Sequence, residues 1–226
     1  EQWNRWNFHS LGVRNFHQHN STKSLIPSFG ITYRWERAWQ ENLLQESEEE
    51  DYSRMVTKAQ IGKNIFLFDD QLSILGALQE HLLLNIYSAE LEPTLATTGR
   101  ASVLFRPFGT IGLWSSIQSG FRPPDLTELF GNRGMILGNS DLLPERALTW
   151  DMGVSWKRED LSFNVQGAYF RRNAKDDIIL LQNAQRQSIP TNFAQTHTQG
   201  LELALGWRPL PFVQWSGAAT YMYSEQ

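Results

Sequence analysis

The 226-residue sequence contains no cysteine, so a disulfide framework, a thiolate zinc site, an iron–sulfur cluster and a catalytic cysteine are excluded within it. No apolar run reaches the roughly 18 residues that a transmembrane helix needs. Neither sign of charge dominates, since 20 Lys and Arg stand against 24 Asp and Glu. This balance excludes a strongly basic nucleic-acid-binding protein, and we expect no nucleic-acid partner.

Helical periodicity is also nearly absent, and only residues 124–130 could form a short helical turn. Alternation with a period of two replaces it, because successive side chains of a strand point to opposite faces. In segment 110–121, one face carries Ile111, Leu113, Ser115, Ile117, Ser119 and Phe121. The pattern recurs over 29–39, 97–106, 147–157, 161–173, 198–208 and 212–224, and more weakly over 53–68 and 71–83. The sequence therefore predicts an all-β protein with roughly nine strands.

The predicted connections take turns between short and long. Short ones lie at 69–70, 107–109, 158–160 and 209–211, and long ones at 41–52, 84–96, 121–147 and 174–197. An up-and-down barrel with its short turns on one rim and its long loops on the other has this rhythm. A water-soluble β-sandwich or barrel shows the same alternation within its strands and is the alternative.

Three features favour a transmembrane antiparallel up-and-down β-barrel. Most predicted strands have ten or more residues, and about 9–11 are needed to cross a bilayer at a tilt. The polar face carries charges such as Arg34, Asp151 and Glu202, as a wet lumen requires. Aromatic residues lie near strand ends, as in membrane girdles: Trp156, Trp207, Trp215, Tyr221 and Tyr223. We expect the opposite face of one strand to meet lipid through Leu148, Trp150, Met152, Val154 and Trp156.

Two sequence boxes follow the strand at 110–120. The first reads Phe121, Arg122, Pro123 and Pro124, and the second contains Gly138, Asn139, Asp141, Leu142, Pro144 and Glu145. Their order and spacing resemble the paired signature of TonB-dependent outer-membrane receptors, although Ser140 and Leu143 replace the usual Pro and Lys. The resemblance is sharp over 96–208 and diffuse before that.

The resemblance implies a barrel of about 22 strands with a plug in its lumen. Such a barrel needs roughly 550 residues at about 25 per strand. We therefore expect residues 1–226 to be a partial barrel domain, with the plug domain, the TonB-contacting segment and the barrel C-terminus outside it.

The implied function is uptake of a scarce nutrient across the outer membrane of a Gram-negative bacterium, energised through TonB. An iron–siderophore complex is the commonest cargo, with cobalamin, sugars and other metals as alternatives. The implied partners are outer-membrane lipid, the plug domain of the same protein, TonB and a small nutrient ligand such as a metal chelate. A smaller passive or structural, porin-like barrel is the second hypothesis.

A barrel enzyme is the third hypothesis, but the sequence assigns no catalytic residue. Neither Gly-x-Ser-x-Gly nor His-Glu-x-x-His occurs. Asp151, Glu202 and the histidines cannot be assembled into a triad from sequence, and we expect no enzyme.

No cofactor or metal site is predicted. The histidines are His9, His17, His19, His81 and His197. His17 and His19 would share a strand face but lack further ligands. The acidic run 46–51 lacks the glycine and the ligand spacing of a calcium loop, so a solvated charge run is the better interpretation. Some haem receptors of the family carry a histidine between the two boxes; residues 125–138 contain none.

The charged residues of the signature region are Arg122, Asp125, Glu128 and Glu145. They either pin a long loop to the barrel rim or plug, or they contact the ligand. We expect the loop between Phe121 and Ala147 to be partly ordered and to fold over the lumen mouth. Its anchors would be the Arg-Pro-Pro end and Pro144-Glu145, with a mobile centre near 132–137.

Overall fold

The chain is described by a computed structural model, which covers residues 4–17, 27–42, 50–87, 90–131, 135–158, 162–210 and 212–225. One short helix, α1, spans Leu126–Phe130, within the predicted helical turn. The strands are β1 (Asn4–His17), β2 (Ser28–Asn42), β3 (Glu50–Leu67), β4 (Leu72–Tyr87), β5 (Glu90–Phe108), β6 (Ile111–Arg122), β7 (Glu145–Arg158), β8 (Phe163–Gln182), β9 (Ser188–Leu210) and β10 (Val213–Glu225).

All ten strands form one sheet in chain order, and each pairs antiparallel with the next. The predicted pairing of the six segments from 97–106 to 212–224 is confirmed. The described part contains ten strands, one more than the rough count from the sequence. The sheet is open, with β1 and β10 at its two edges.

The two faces of the sheet differ in chemistry. Along β7, the expected apolar residues are all exposed, for example Val154 at 47% of its surface, whereas the alternate residues are half-buried. On β2 the same outward face exposes Phe29, Ile31, Tyr33 and Trp35. We call this surface the outer face and its opposite the inner face. Among the described residues, no helix is long and apolar enough to span a membrane.

Aromatic side chains cluster at two levels of β7 and β8. Trp156 lies near the short turn and contacts Phe163 with ring centroids 5.5 Å apart. Toward the other end, Trp150 and Tyr169 meet edge to face at 5.8 Å. Such edge-to-face pairs stabilise the fold beyond the contribution of the buried area. The outer-face residues Met152 and Val154 of β7 lie between the two pairs.

Two of the four expected long connections are wrong. Residues 84–96 are mostly strand, because β4 runs to Tyr87 and β5 begins at Glu90. Residues 174–197 continue β8 and β9 as a hairpin, which closes in a turn at 183–187. In residues 178–181, Ile178, Ile179, Leu180 and Leu181 follow one another, so the period of two is lost although the chain stays in a strand. In residues 84–96, Pro93 lies within β5, and proline argues against a strand in a sequence. The connection between Arg122 and Glu145 stays long, as expected.

The ladder between β5 and β6 ends early. Pairing runs from Phe108 opposite Ile111 to Arg100 opposite Gln118, whereas β5 stays paired with β4 as far as Glu90. Beyond this point, Gly99 N donates to Ser119 Oγ at 2.7 Å. The upper part of β6 thus diverges from β5, and the long connection departs from its end.

We predict that Val154→Arg destabilises the full-length protein in a bilayer by about 2–4 kcal/mol, since it places a charge near the middle of the outer face. Gln166→Arg on the inner face is the matched control and should cost far less. Reversible unfolding in lipid vesicles measures both. Equal costs for the two variants would mean that the outer face of β7 does not lie at the bilayer midplane.

Candidate functional site

The connection between β6 and β7 begins with a rigid entry. Pro123 and Pro124 restrict the backbone, and α1 follows with Asp125 as its N-cap. Glu128 Oε2 accepts a 2.7 Å hydrogen bond from Asp125 N, which satisfies one of the amides that a helix start leaves open. Leu126 and Leu129 are buried, so one face of this short helix is packed against the rest of the protein.

Arg122 joins the first box to the second. Its Nη1 lies 3.0 Å from Glu128 Oε2, and its Nη2 donates to Glu145 Oε1 at 2.6 Å. Asp125 is more distant, at 3.9 Å, and its side chain is exposed. Glu145 Oε1 also accepts a hydrogen bond from Ile178 N at 2.8 Å. We call Arg122, Glu128 and Glu145 the arginine clamp. Through Ile178, the clamp links β6 and β7 to β8.

The clamp lies beyond the apolar stretch of β7, which runs from Leu148 to Trp156, since Glu145 is five residues before Trp150. Burial alone would raise the pKa of Glu145, but the hydrogen bonds from Arg122 and Ile178 outweigh it and hold the pKa below its ordinary value. The hydrogen bond to Glu145 in turn raises the pKa of Arg122. Both groups are therefore charged at neutral pH, and charge-assisted hydrogen bonds are the stronger kind.

The second box attaches to the β8–β9 hairpin. Asn139 Nδ2 donates to Pro190 O at 2.9 Å, and Asn139 N donates to Glu128 O at 2.9 Å. Asn192 forms a reciprocal pair with the backbone of Leu143, at 2.8 and 2.9 Å. These bonds hold the connection from its far side as the arginine clamp holds it from its near side.

Gly138 and Gly131 meet where the connection doubles back. A Cβ on Gly138 would lie 2.4–2.6 Å from backbone atoms of Leu129 and Phe130, so a side chain cannot be added without movement. Gly131 adopts φ +76°, a left-handed value that glycine tolerates at no steric cost. The glycine of the second box therefore serves close packing of the connection.

Arg54 on β3 is a contact that sequence reasoning missed. Only 2% of its surface is exposed. Its Nη1 donates to Pro124 O at 2.6 Å, and its Nε donates to Asn85 Oδ1 at 2.8 Å, with Glu36 Oε2 3.8 Å from Nη1. A buried charge needs such partners. No local pattern marks this residue, because its partner lies 70 positions away.

The connection covers the inner face. Buried apolar side chains in the described part fall on inner-facing strand positions and on the connection itself: Val56, Leu83, Ala96, Leu126, Leu129, Leu142 and Ala174. His81 is also buried, with Nε2 3.0 Å from Thr98 Oγ1 and its ring 5.4 Å from that of Phe121. The first and second boxes thus surround a small core above the inner face.

The structure brings most of the predicted site residues together. Arg122, Glu128 and Glu145 form the clamp, and Pro124 and Asn139 reach β3 and β9 through hydrogen bonds. The side chain of Asp141 is exposed; its backbone N donates to Asn139 Oδ1 at 3.1 Å. Of the expected mobile centre, 132–134 lie outside the described residues. Met135 O and Leu137 N are hydrogen-bonded to the backbone of Ser188, a third attachment that the sequence did not indicate.

The candidate metal ligands do not converge. His197 Nδ1 lies 2.9 Å from Asn173 Oδ1, and Asp151 accepts from Ser116 Oγ at 2.8 Å. His19 and residues 46–49 lie outside the described residues, as do the side chains of His9 and His17. Within the described ranges, no group of three His, Asp or Glu residues could hold a metal ion.

Concavities and charged residues lie on both faces of the sheet. A concavity of about 910 Å³ is lined mainly by apolar outer-face residues such as Val103, Met152 and Leu203. The inner face carries charges of both signs, including the carboxylates of Asp151 and Glu202. Arg34 pairs with Glu36 at 2.8 Å, while Lys58 and Arg100 have no ion-pair partner among the described residues.

The open sheet, its apolar outer face and the clamped connection define a segment of a large membrane β-barrel. A family model described as TonB dependent receptor-like, beta-barrel matches residues 61–226. The chain belongs to this family, which is an outer-membrane family, and the resemblance found in the sequence is confirmed. No curated protein sequence matches significantly.

Solved structures agree on the fold. The FrpB iron transporter of Neisseria meningitidis, in its apoprotein form, is 18% identical with a TM-score of 0.71, over 99% of this chain and 37% of that one. The siderophore receptor PirA of Pseudomonas aeruginosa is 15% identical with a TM-score of 0.70, over 100% and 44%. The hemophore receptor HasR of Serratia marcescens is 17% identical with a TM-score of 0.71, over 98% and 43%. This chain therefore spans less than half the length of each.

We predict that Arg122→Gln loosens the connection, because it removes the charge that both carboxylates share. Since the guanidinium is partly exposed, the loss should be about 1 kcal/mol, or roughly fivefold in the population of the released state. A nitroxide attached at Ser140→Cys reports this as increased mobility. Arg186→Gln, in the hairpin turn, is the control and should leave the spectrum unchanged.

The clamp should also depend on pH. Because the pKa of Glu145 is lower in the folded protein, its contribution is present above the ordinary glutamate pKa of about 4.3 and is lost as pH falls through the folded value. The same nitroxide should gain mobility only at pH values below the ordinary glutamate pKa, because the pKa of Glu145 is lowered in the folded protein. In Glu145→Gln the pH dependence should disappear; an unaltered titration would assign it to another group.

Gly138→Ala should disturb the connection by about 1–3 kcal/mol, the usual cost of overpacking. Gly167→Ala is the matched control, since a Cβ there meets nothing within 4 Å. The nitroxide at position 140 and the thermal midpoint of the full-length protein measure the two variants. Identical behaviour would contradict the close packing of Gly138.

Proposed function

We propose that this chain is part of an outer-membrane receptor that takes up a scarce nutrient, energised through TonB. The observation that carries the proposal is the family match over residues 61–226, joined to an inner face that is polar and partly covered by the clamped connection. The apolar outer face would meet lipid. The plug domain, the TonB-contacting segment and the rest of the barrel would lie outside these 226 residues.

The cargo that fits best is an anionic metal chelate, an iron–siderophore complex above all. Lys58 and Arg100 lie on the inner face without ion-pair partners among the described residues, and cations that line a wet channel attract anions. Some structural neighbours are named as an iron transporter and a siderophore receptor. Their low identity supports the fold only, so the charges on this inner face are the argument specific to this chain.

The signature residues are assigned to positioning. Arg122, Glu128 and Glu145 satisfy one another, and Asn139 is bonded to the backbone of Pro190. Groups already paired in this way have little capacity left for a ligand. We therefore propose that the two boxes hold the connection over the lumen mouth, where it narrows the path of the nutrient and contacts the plug. Ligand contacts would come from other residues.

Active transport is favoured over a passive, porin-like barrel because residues of the connection are bonded to three strands, β3, β6 and β9. A passive pore needs an open lumen, whereas a covered lumen must be opened at an energetic cost. Covalent chemistry has no support, since family and neighbours are receptors or transporters. A barrel enzyme would be identified by hydrolytic activity lost in Asp151→Asn.

The test is uptake by cells that carry the full-length protein in a strain lacking it. Radioactive iron is supplied as a ferric hydroxamate or a ferric catecholate, with labelled cobalamin and an oligosaccharide as the other classes. We expect one ferric chelate to accumulate and accumulation to stop when a protonophore collapses the proton gradient. Uptake that persists without the gradient would instead indicate the passive barrel.

Charge on the inner face gives a second measurement. Lys58→Gln with Arg100→Gln should weaken binding of the anionic chelate about tenfold, since each charge contributes to a partly desolvated site. Lys63→Gln, on the outer face of β3, with Arg186→Gln, in the hairpin turn, removes the same charge away from the inner face and is the control. An unchanged dissociation constant in the first double variant would remove the argument for an anionic cargo.

Deletion of residues 131–138, with surface expression verified, tests the role of the connection. We expect altered ligand affinity or uptake, because the deletion removes the bonds to Ser188. If affinity and uptake both stay unchanged, the connection is a structural connector only.

A further inference from the structure

A group of cations lies on the outer face beside the clamp, and the transport function does not use it. Arg146, Arg171 and Lys175 are exposed on β7 and β8, on the same face as the apolar residues of β7. Asn173 and His197 lie between and beside them. We call these five residues the cationic rim patch.

The register places two of these cations face to face. Arg146 is directly opposite Lys175 across the β7–β8 ladder, where Cβ atoms are about 5 Å apart and like charges destabilise the pair. Neither side chain has a hydrogen-bond or ion-pair partner among the described residues. An anion that contacts both cations would compensate the repulsion between them.

The patch also has a concave shape. A depression of about 420 Å³ is lined by Arg146, Lys175, Asn173, His197, Thr97 and Gln195, with Leu148 at its apolar side. It forms where β6 diverges from β5. Arg171 lies just below, in register with Trp150, and its Nε donates to Asn173 Oδ1 at 3.4 Å.

The carboxylates near the patch leave its centre positive. Glu80 lies on β4, and the Thr97 hydroxyl donates to its carboxylate, with Oγ1 2.8 and 3.0 Å from the two carboxylate oxygens. Glu225 lies opposite His197 at the other flank, and Asp177 is engaged by Arg172. Within the described residues, no carboxylate intervenes between Arg146 and Lys175.

The height of the patch identifies the anion. Arg146 is four residues beyond Trp150 on β7, or about 10 Å higher with a strand tilt near 40°. Aromatic residues mark the border of the hydrocarbon region, so the patch is level with lipid headgroups. We propose that the cationic rim patch binds the phosphate of a phosphorylated outer-leaflet lipid, with acyl chains against Leu148 and Trp150. This inference rests on the proposed membrane placement.

The experiment uses the full-length receptor purified in a neutral maltoside detergent. The probes are lipid A with both phosphates and chemically dephosphorylated lipid A, each titrated in mixed micelles, and inorganic phosphate as a competitor. We expect the phosphorylated lipid to bind at least about tenfold more tightly than the dephosphorylated one. Arg146→Gln with Lys175→Gln should abolish that preference, while Arg186→Gln with Arg208→Gln keeps it.

Equal affinity for the two lipids, or a preference that survives Arg146→Gln with Lys175→Gln, would overturn the inference. Complete competition by millimolar inorganic phosphate would also overturn it, because the site would then be one for free phosphate. Failure of the proposed function is distinguishable, since uptake and membrane fractionation are measured separately. A receptor that transports a chelate but shows no phosphate preference contradicts only the lipid site.

Discussion

The antiparallel backbone ladder is the constraint from which the rest of the structure follows. Within lipid, each backbone N–H and C=O must find a partner inside the protein, and strands can do so only through their neighbours. The ten strands meet this demand by pairing in chain order. Side chains then alternate of necessity, which separates an apolar outer face from a polar inner face. The connection between the two boxes is held on the inner face by side-chain contacts that the ladder positions.

The sequence predicted the fold where hydrophobicity and strand geometry act together. Along β7, Leu148 to Trp156 alternate with polar residues, and the observed exposure follows the same period. Lys175, the last residue of β8 that pairs with β7, is opposite Gln195 on β9. Beyond it, the four apolar residues 178–181 follow one another without alternation. The backbone ladder continues there although the period of two is lost, so hydrophobic alternation predicted a loop in place of a strand.

The site was predictable to the extent that it is local. The motif residues Arg122 and Glu145 were recognised from two boxes in order, and they meet through a 2.6 Å hydrogen bond. The contact of Arg54 with Pro124 joins β3 to the connection across β4, β5 and β6. No sequence period relates such positions, and their proximity follows only from the register of the whole sheet.

The β8–β9 hairpin projects beyond the neighbouring strand β7 and can act as a lever on the connection. From Asp176 to Gln182, beyond its last ladder pair with β7, the hairpin extends seven residues, or about 23 Å. A rotation of about 10° at its base would displace its tip by about 4 Å over that length. Ser188 and Pro190 bind the connection through Leu137 and Asn139. A force applied at the hairpin tip would therefore be transmitted to the connection between β6 and β7 through these hydrogen bonds.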